Sequence, residues 1–296
     1  LNAATEIGLL VTRELRRSVR SLKGVILGII TLVGAVLTSI MVVWIQGNDL
    51  AAAGGSEALA EANRQMIEKH TGDASLAAQV ASMPESLRTF LDITIWLGPL
   101  LIALLGFDSV AGELQHKAVR FWAVRSRRWS YFAGKVLGLW LLVGLVTLVL
   151  NLIVGSVALA KGYVTAGDLL RWGTRFWFVA FVIAGAWAAL ATLISSFYKQ
   201  PIAALLTTFG VFFLLWLASL VGGALRAREA LEKARETLEA PVLPGMRWYE
   251  YLYPNSYEQM LLSPDGTKVL TAVAVLLGFV VVAIAGGSFV FSRRDI

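Results

Sequence analysis

The most regular feature of the chain is a set of long apolar runs separated by clusters of charge. A helix rises about 1.5 Å per residue and the hydrocarbon core of a bilayer is about 30 Å thick, so about 20 uncharged residues mark a spanning helix. Six runs meet this length: Gly24 to Ile45, Thr89 to Phe107, Val136 to Ala160, Phe176 to Tyr198, Pro201 to Leu225 and Val269 to Ser292. Only the second carries a charge, Asp92, which lies near one end of its run, where an acid reaches the interface and needs no buried partner. Gly98-Pro99 in the same run predicts a kink, because the proline ring removes one backbone hydrogen bond.

The segment ahead of the first run has a different period. At 100° per residue, Ile7, Leu10, Val11, Leu15, Val19 and Leu22 fall on one half of a helix over residues 5–22, and Arg13, Arg16, Arg17 and Arg20 on the other. Such a helix is expected to lie flat on a membrane surface, bound to anionic lipid, with its arginine face open to a soluble partner as well. Glu14 falls inside the apolar arc and needs a cation, in this chain or on a partner.

The fold class is therefore all-α: a polytopic membrane protein of six transmembrane helices (24–292), preceded by an amphipathic interfacial helix (1–23). Of the 26 Lys and Arg, 14 fall in residues 1–23, 108–135, 199 and the C-terminal tail, which places these segments and both termini in the cytoplasm. The opposite, extracytoplasmic side then carries two large loops, 46–88 and 226–268. Helices are predicted in the first from Ser56 to Lys69 and from Ser75 to Met83, the latter stopped by Pro84. In the second, the fifth span is expected to continue as a solvated helix to Glu239, with Arg228–Glu232, Glu229–Lys233 and Arg235–Glu239 pairs four residues apart. Trp248, Tyr249, Tyr251, Tyr253 and Tyr257 follow within ten residues, a composition suited to the membrane interface.

Composition narrows the chemistry. With 57% hydrophobic and 16% charged residues and mean hydropathy +0.70, a soluble globule is excluded. The net charge of +6 reflects membrane anchoring more simply than nucleic-acid binding. There is no cysteine, and the two histidines, His70 and His116, lie on opposite sides of the membrane, so no metal or nucleophilic site is expected. The spans contain no His, Cys, Glu, Lys or Arg, which argues against an intramembrane enzyme and a proton-coupled carrier. The chain opens Leu1-Asn2-Ala3 without Met, and its first apolar run is too long for a cleavable signal.

The loop 108–135 is too long and too ordered for a passive turn. Asp108 at the end of the second span, Gly112-Glu113 in a short helical stretch, the basic turn Arg125 to Arg128 and the Gly134-Lys135 pair opening the third span resemble the permease family of ABC type 2 transporters. Arg13-Glu14-Leu15 with Arg20 is similar to that family's opening helix, and Phe291-Ser-Arg293-Arg294-Asp295 to its closing tail. Lys117-Ala118 stands where the family has Gly-Thr, and Val124-Arg125 where it has a proline in the basic turn.

The resemblance implies a membrane subunit of an ATP-binding cassette exporter in the bacterial inner membrane. It pairs with a second permease copy, identical or related, and with two copies of a separate cytoplasmic ATPase. Asp108, Glu113, Lys117 and Arg120 would be the ATPase-coupling residues, with Asp108 and Glu113 either pairing with basic groups on the partner or capping the short helix locally, and Arg13, Glu14, Arg16, Arg17 and Arg20 would form the rest of the cytoplasmic interface. No Gly-rich phosphate loop followed by Lys and Ser or Thr occurs in the chain, so ATP and Mg are expected on the partner and no cofactor or catalytic residue here. Gly28, Gly34 and Gly210 offer close helix approach for the second copy. The substrate pathway is not assigned, although spans rich in Phe, Trp and Leu suit a lipid-like or amphipathic solute. The large outer loops also fit an alternative, transmission of force to an extracytoplasmic protein without solute transport.

Overall fold

The computed structural model describes residues 2–53, 64, 74–117, 127–237 and 243–293. All its long elements are helices. In chain order they are α1 (Ala3–Arg20), α2 (Leu22–Ala53), α3 (Ala74–Ala81), α4 (Glu85–Gly106), α5 (Ala111–Gln115), α6 (Arg128–Ala160), α7 (Ala166–Asp168), α8 (Thr174–Phe197), α9 (Pro201–Thr237), α10 (Glu258–Leu262) and α11 (Gly266–Ser292). Six of them, α2, α4, α6, α8, α9 and α11, supply segments long and apolar enough to cross a membrane, as the runs of hydrophobic residues predict.

The helices overrun the apolar runs where charge does not break them. α6 begins eight residues before Val136, so Arg128, Tyr131 and Lys135 are helical. α9 continues to Thr237, and its 37 residues measure about 55 Å, well beyond a 30 Å hydrocarbon core. Of its expected surface pairs, Arg228–Glu232 forms at 2.8 Å; Glu229 meets Arg247 from the following loop, and Glu239 lies outside the described residues. The helix expected from Ser56 to Lys69 is likewise outside them, apart from Arg64. α3 forms where expected and is sewn to the far end of the bundle by Gln79 Nε2, which donates to the Leu262 carbonyl at 2.7 Å.

α8 is the hub. Its small residues Ala184, Ala186, Ala188, Ala189 and Ala191 are buried and allow α4, α6 and α11 to pack around it. α7 enters α8 through a π turn at Leu169–Gly173, whose Gly173 carbonyl accepts from Asn151 Nδ2 at 2.9 Å. Polar side chains of the spans thus mostly serve packing: Thr192, Thr208 and Ser39 each donate to the carbonyl four residues earlier.

Contacts at the two ends add to the expected arrangement. α1 packs on its own chain: Leu10 is buried against Tyr131 and Phe291 and the helix lies along the start of α6. Gly134 and Gly138, four apart on one face of α6, make this approach possible: an added Cβ would come within 2.6 Å of Leu10 and 2.8 Å of Glu14. At the far end, the tyrosine-rich segment divides into exposed and buried residues. Trp248 and Tyr251 are exposed, but Pro254 and Tyr257 are buried and residues 250–257 turn into the bundle as two 3₁₀ turns.

Candidate functional site

The end of the bundle that bears α1 concentrates charge on a short stretch of buried surface. α4 ends at Gly106, the chain turns through 107–110, and five residues, Ala111 to Gln115, form α5. A helix this short needs outside partners for its first amides. Ser195 of α8 supplies them: its Oγ accepts from Val110 N at 3.1 Å and Ala111 N at 3.0 Å and donates to the Phe107 carbonyl at 2.7 Å. The turn after α4 is thereby pinned to the hub helix.

The other face of α5 is held by charge. Glu113 is only 2% exposed and turns inward. Its Oε1 accepts from Lys135 Nζ at 2.6 Å and Arg17 Nη1 at 2.8 Å, with Arg13 Nη2 at 3.6 Å, and its Oε2 accepts from the Tyr131 hydroxyl at 2.6 Å. Lys135, also 2% exposed, makes a second bond, to Glu14 Oε1 at 2.7 Å. Tyr131 in turn stacks on Phe291 of α11 with ring centroids 5.4 Å apart. One network therefore joins α1, α5 and the start of α6, and contacts the end of α11. Burying a pair of charges in this way is favourable only because each has several partners, and removal of one leaves the rest uncompensated.

The residues singled out in the sequence separate into two groups. Glu113 and Glu14 face their own chain, and the cation that Glu14 requires is Lys135. Arg13 is half-buried over Glu113, and Arg17 reaches it while remaining half exposed. Arg16, Arg20 and Lys117 are exposed, and Arg120 lies outside the described residues. Asp108 is half-buried beside Gly112 and lines a cavity of about 270 Å3 with Glu14, Arg17 and Lys135. Lys117 adopts a left-handed backbone, φ 55°, just past the α5 C-terminus, which closes the helix. Among the described residues of the loop, Gln115, His116 and Lys117 at the end of α5 are exposed, and the His116 Nδ1 lies 2.8 Å from the Gly112 carbonyl.

Tyr131, Lys135 and Ser195 were not marked as site residues by sequence. The signal available for Lys135 was its Gly134 neighbour, since the glycine admits α1 and the lysine then meets two carboxylates. Nothing local marks Ser195. Along α1, Leu9, Thr12, Arg13, Arg16, Arg17 and Arg20 line a shallow groove of about 450 Å3, a strongly basic surface. Among the described residues no three of His, Cys, Asp and Glu come together as metal ligands would.

Six apolar helices, with α4, α6 and α11 packed on the central α8 and a short interhelical element clamped to a basic amphipathic helix, define a multi-pass membrane protein. The chain belongs to the ABC-2 family transporter proteins, whose family model matches residues 9–296. It is thus a membrane permease component of an ABC transporter, a system that in general includes an ATPase partner. Comparison with curated proteins gives no match.

Proposed function

We propose that this chain is the membrane subunit of an ATP-driven exporter, with α5 and its exposed tip serving as the element that a separate ATPase subunit grips. The observation that carries this reading is the Glu113–Lys135–Glu14 network. A force applied at Gln115-His116-Lys117 is delivered through buried ionic contacts to α1, α6 and, by Ser195, α8, so the tip and the spans move as one body. In this assignment Glu113 and Glu14 are positioning residues, while Lys117, Arg16 and Arg20 meet the partner or anionic headgroups. Two ATPase copies hold ATP and Mg, and two permease copies enclose the pathway. The basic segments face the cytoplasm of a bacterial cell, in accord with the excess of Lys and Arg at that end.

A second reading, transmission of force to an extracytoplasmic protein, is favoured by α9, which projects about 25 Å beyond a 30 Å core. The two readings share the ATPase and differ in what the far end does.

Purification of the tagged chain from native membranes in mild detergent, with mass spectrometry and an ATPase assay, tests the proposal. Lys117→Glu is expected to reduce ATPase recovery or activity several-fold at an unchanged melting temperature. Recovery of the intact chain with no ATPase would sink the reading.

A further inference from the structure

The far half of the bundle holds a second feature, remote from the charge network. Between α4, α8 and α9 lies a cleft of about 520 Å3 whose walls include Trp96, Trp187, Phe212, Phe213, Trp216 and Tyr253. This volume falls within the range of small-molecule sites, roughly 300–1,000 Å3. The rings are mutually braced: Trp187 lies 4.3 Å from Phe212 and 5.6 Å from Tyr253, and Phe213 lies 5.6 Å from Trp216, centroid to centroid. Trp187 is further fixed by its Nε1 bond to Asn255.

Trp96 and Tyr253 also line an adjoining cleft of about 280 Å3, toward the far end, where two carboxylates face the space: Asp92 of α4 and Glu258 of α10. Among the described residues neither acid has a hydrogen-bond or ion-pair partner within bonding distance. Arg88, one turn before Asp92, acts on both only through space. The acids come from elements more than 160 residues apart in sequence and are brought together beside the aromatic walls by the inward turn of residues 250–257.

We propose that the two clefts form one binding site for a lipophilic cation, its apolar body among the rings and its positive centre between Asp92 and Glu258. Aromatic faces attract cations within about 6 Å of a ring centroid, and more strongly when water is excluded. The same carboxylates repel phosphate, so an anionic lipid headgroup is disfavoured at this mouth. From Asp92 to Leu100 along α4 is about 12 Å, a length that suits a ligand with a charged end and an apolar body.

Burial, with Asp92 adding to it and Arg88 opposing it, raises the Glu258 carboxyl to about 7. The titratable and charged groups facing it are therefore Asp92, Arg88 and Tyr253, whose hydroxyl burial also pushes upward. A proton on Glu258 competes with the cation, so binding tightens as pH rises through about 7. None of this requires nucleotide or the ATPase, so the site stands or falls apart from the exporter reading.

The test is equilibrium binding to the full chain in phosphatidylcholine nanodiscs, followed by tryptophan fluorescence against empty discs. The probes are tetraphenylphosphonium and tetraphenylborate, ions of nearly equal shape and opposite charge. Saturable binding of the phosphonium alone is expected, weakened at least tenfold in the shape-preserving Asp92→Asn/Glu258→Gln variant. The unmodified chain should itself bind several-fold more tightly at pH 8 than at pH 6, a trend that Glu258→Gln abolishes. Equal saturable binding of both ions, or an affinity unchanged in the doubly neutral variant, would overturn the proposal and leave the cleft to acyl chains or a second copy of the chain.

Discussion

Asn255 donates from Nδ2 to the carbonyl of Ile95 at 2.9 Å, and Ile95 lies four residues before Pro99. In an uninterrupted helix that carbonyl would accept from the amide of residue 99, which proline lacks. A side chain 160 positions away in sequence thus replaces the backbone bond that the proline removes, while its Oδ1 accepts from Trp187 Nε1 at 2.8 Å. The proline turn of α4, the hub helix and the inward-turned loop are tied at one amide.

Asn255→Leu should therefore destabilise the chain by about 2–4 kcal/mol, since two buried groups each lose a partner at roughly 1–3 kcal/mol. Pro99→Ala restores an amide opposite Ile95, so its effect in the Asn255→Leu background should be more favourable than in the parent by about 0.5–2 kcal/mol. A double-mutant cycle on denaturation in detergent measures this coupling. Strict additivity would show that the two positions do not share the Ile95 carbonyl.

Lys135→Met removes the buried cation that hydrogen-bonds both Glu14 and Glu113 and leaves Arg13, at 4.0 and 3.6 Å, as a more distant counter-charge to the pair. A loss of about 3–5 kcal/mol is expected, as for other buried pairs with one member deleted. Arg13, Arg16, Arg17 and Arg20 should become faster sites for trypsin as α1 lifts from α6. Glu113→Gln retains an acceptor for Tyr131 and should release α1 less. Limited proteolysis at fixed temperature ranks the three proteins.

Ser195→Ala deprives the amides of Val110 and Ala111 of their acceptor while leaving the packing of α8 almost unchanged. Hydrogen exchange at these two amides should accelerate at least tenfold, with little change in the exchange of α8 itself. Exchange that is unaltered at 110–111 would mean that α5 is held by Glu113 alone.

Stability should also depend on Glu258. Its folded carboxyl titrates near 7 against an ordinary value of 4.5, so between these limits the folded chain binds more protons than the unfolded one. Folding is then favoured at low pH, and the contribution is lost as pH rises through about 7. The melting temperature should fall across this window and level off above it. Glu258→Gln should remove that slope, which thermal melts at stepped pH will show.

Much of the architecture follows from chain physics alone. Uncharged runs of bilayer length had to become spanning helices, because lipid offers the backbone no other partners. The same logic located the amphipathic α1 and the kink-prone Pro99. Periodicity cannot, however, say where a long helix stops once charges are tolerated at its ends, which is why Arg128–Lys135 proved helical and α9 ran on to Thr237.

The site was legible only as a list of parts. Glu14 in an apolar arc announced a missing cation, and Gly134-Lys135 stood out as a pair, yet the two are 121 residues apart and only the packing of α1 on α6 made them partners. Glu113 read as open to a partner's basic groups or to a local cap because sequence carries no information on which face of a five-residue helix turns inward; Ser195 and the ring of cations decided that. Asp92 reads in sequence as an interfacial acid, and only the fold sets Glu258 and a wall of aromatic rings beside it. Sequence determined which segments enter the bilayer, since transfer of apolar side chains is a local property. Tertiary structure decided which polar groups meet, since that depends on contacts between residues far apart in the chain.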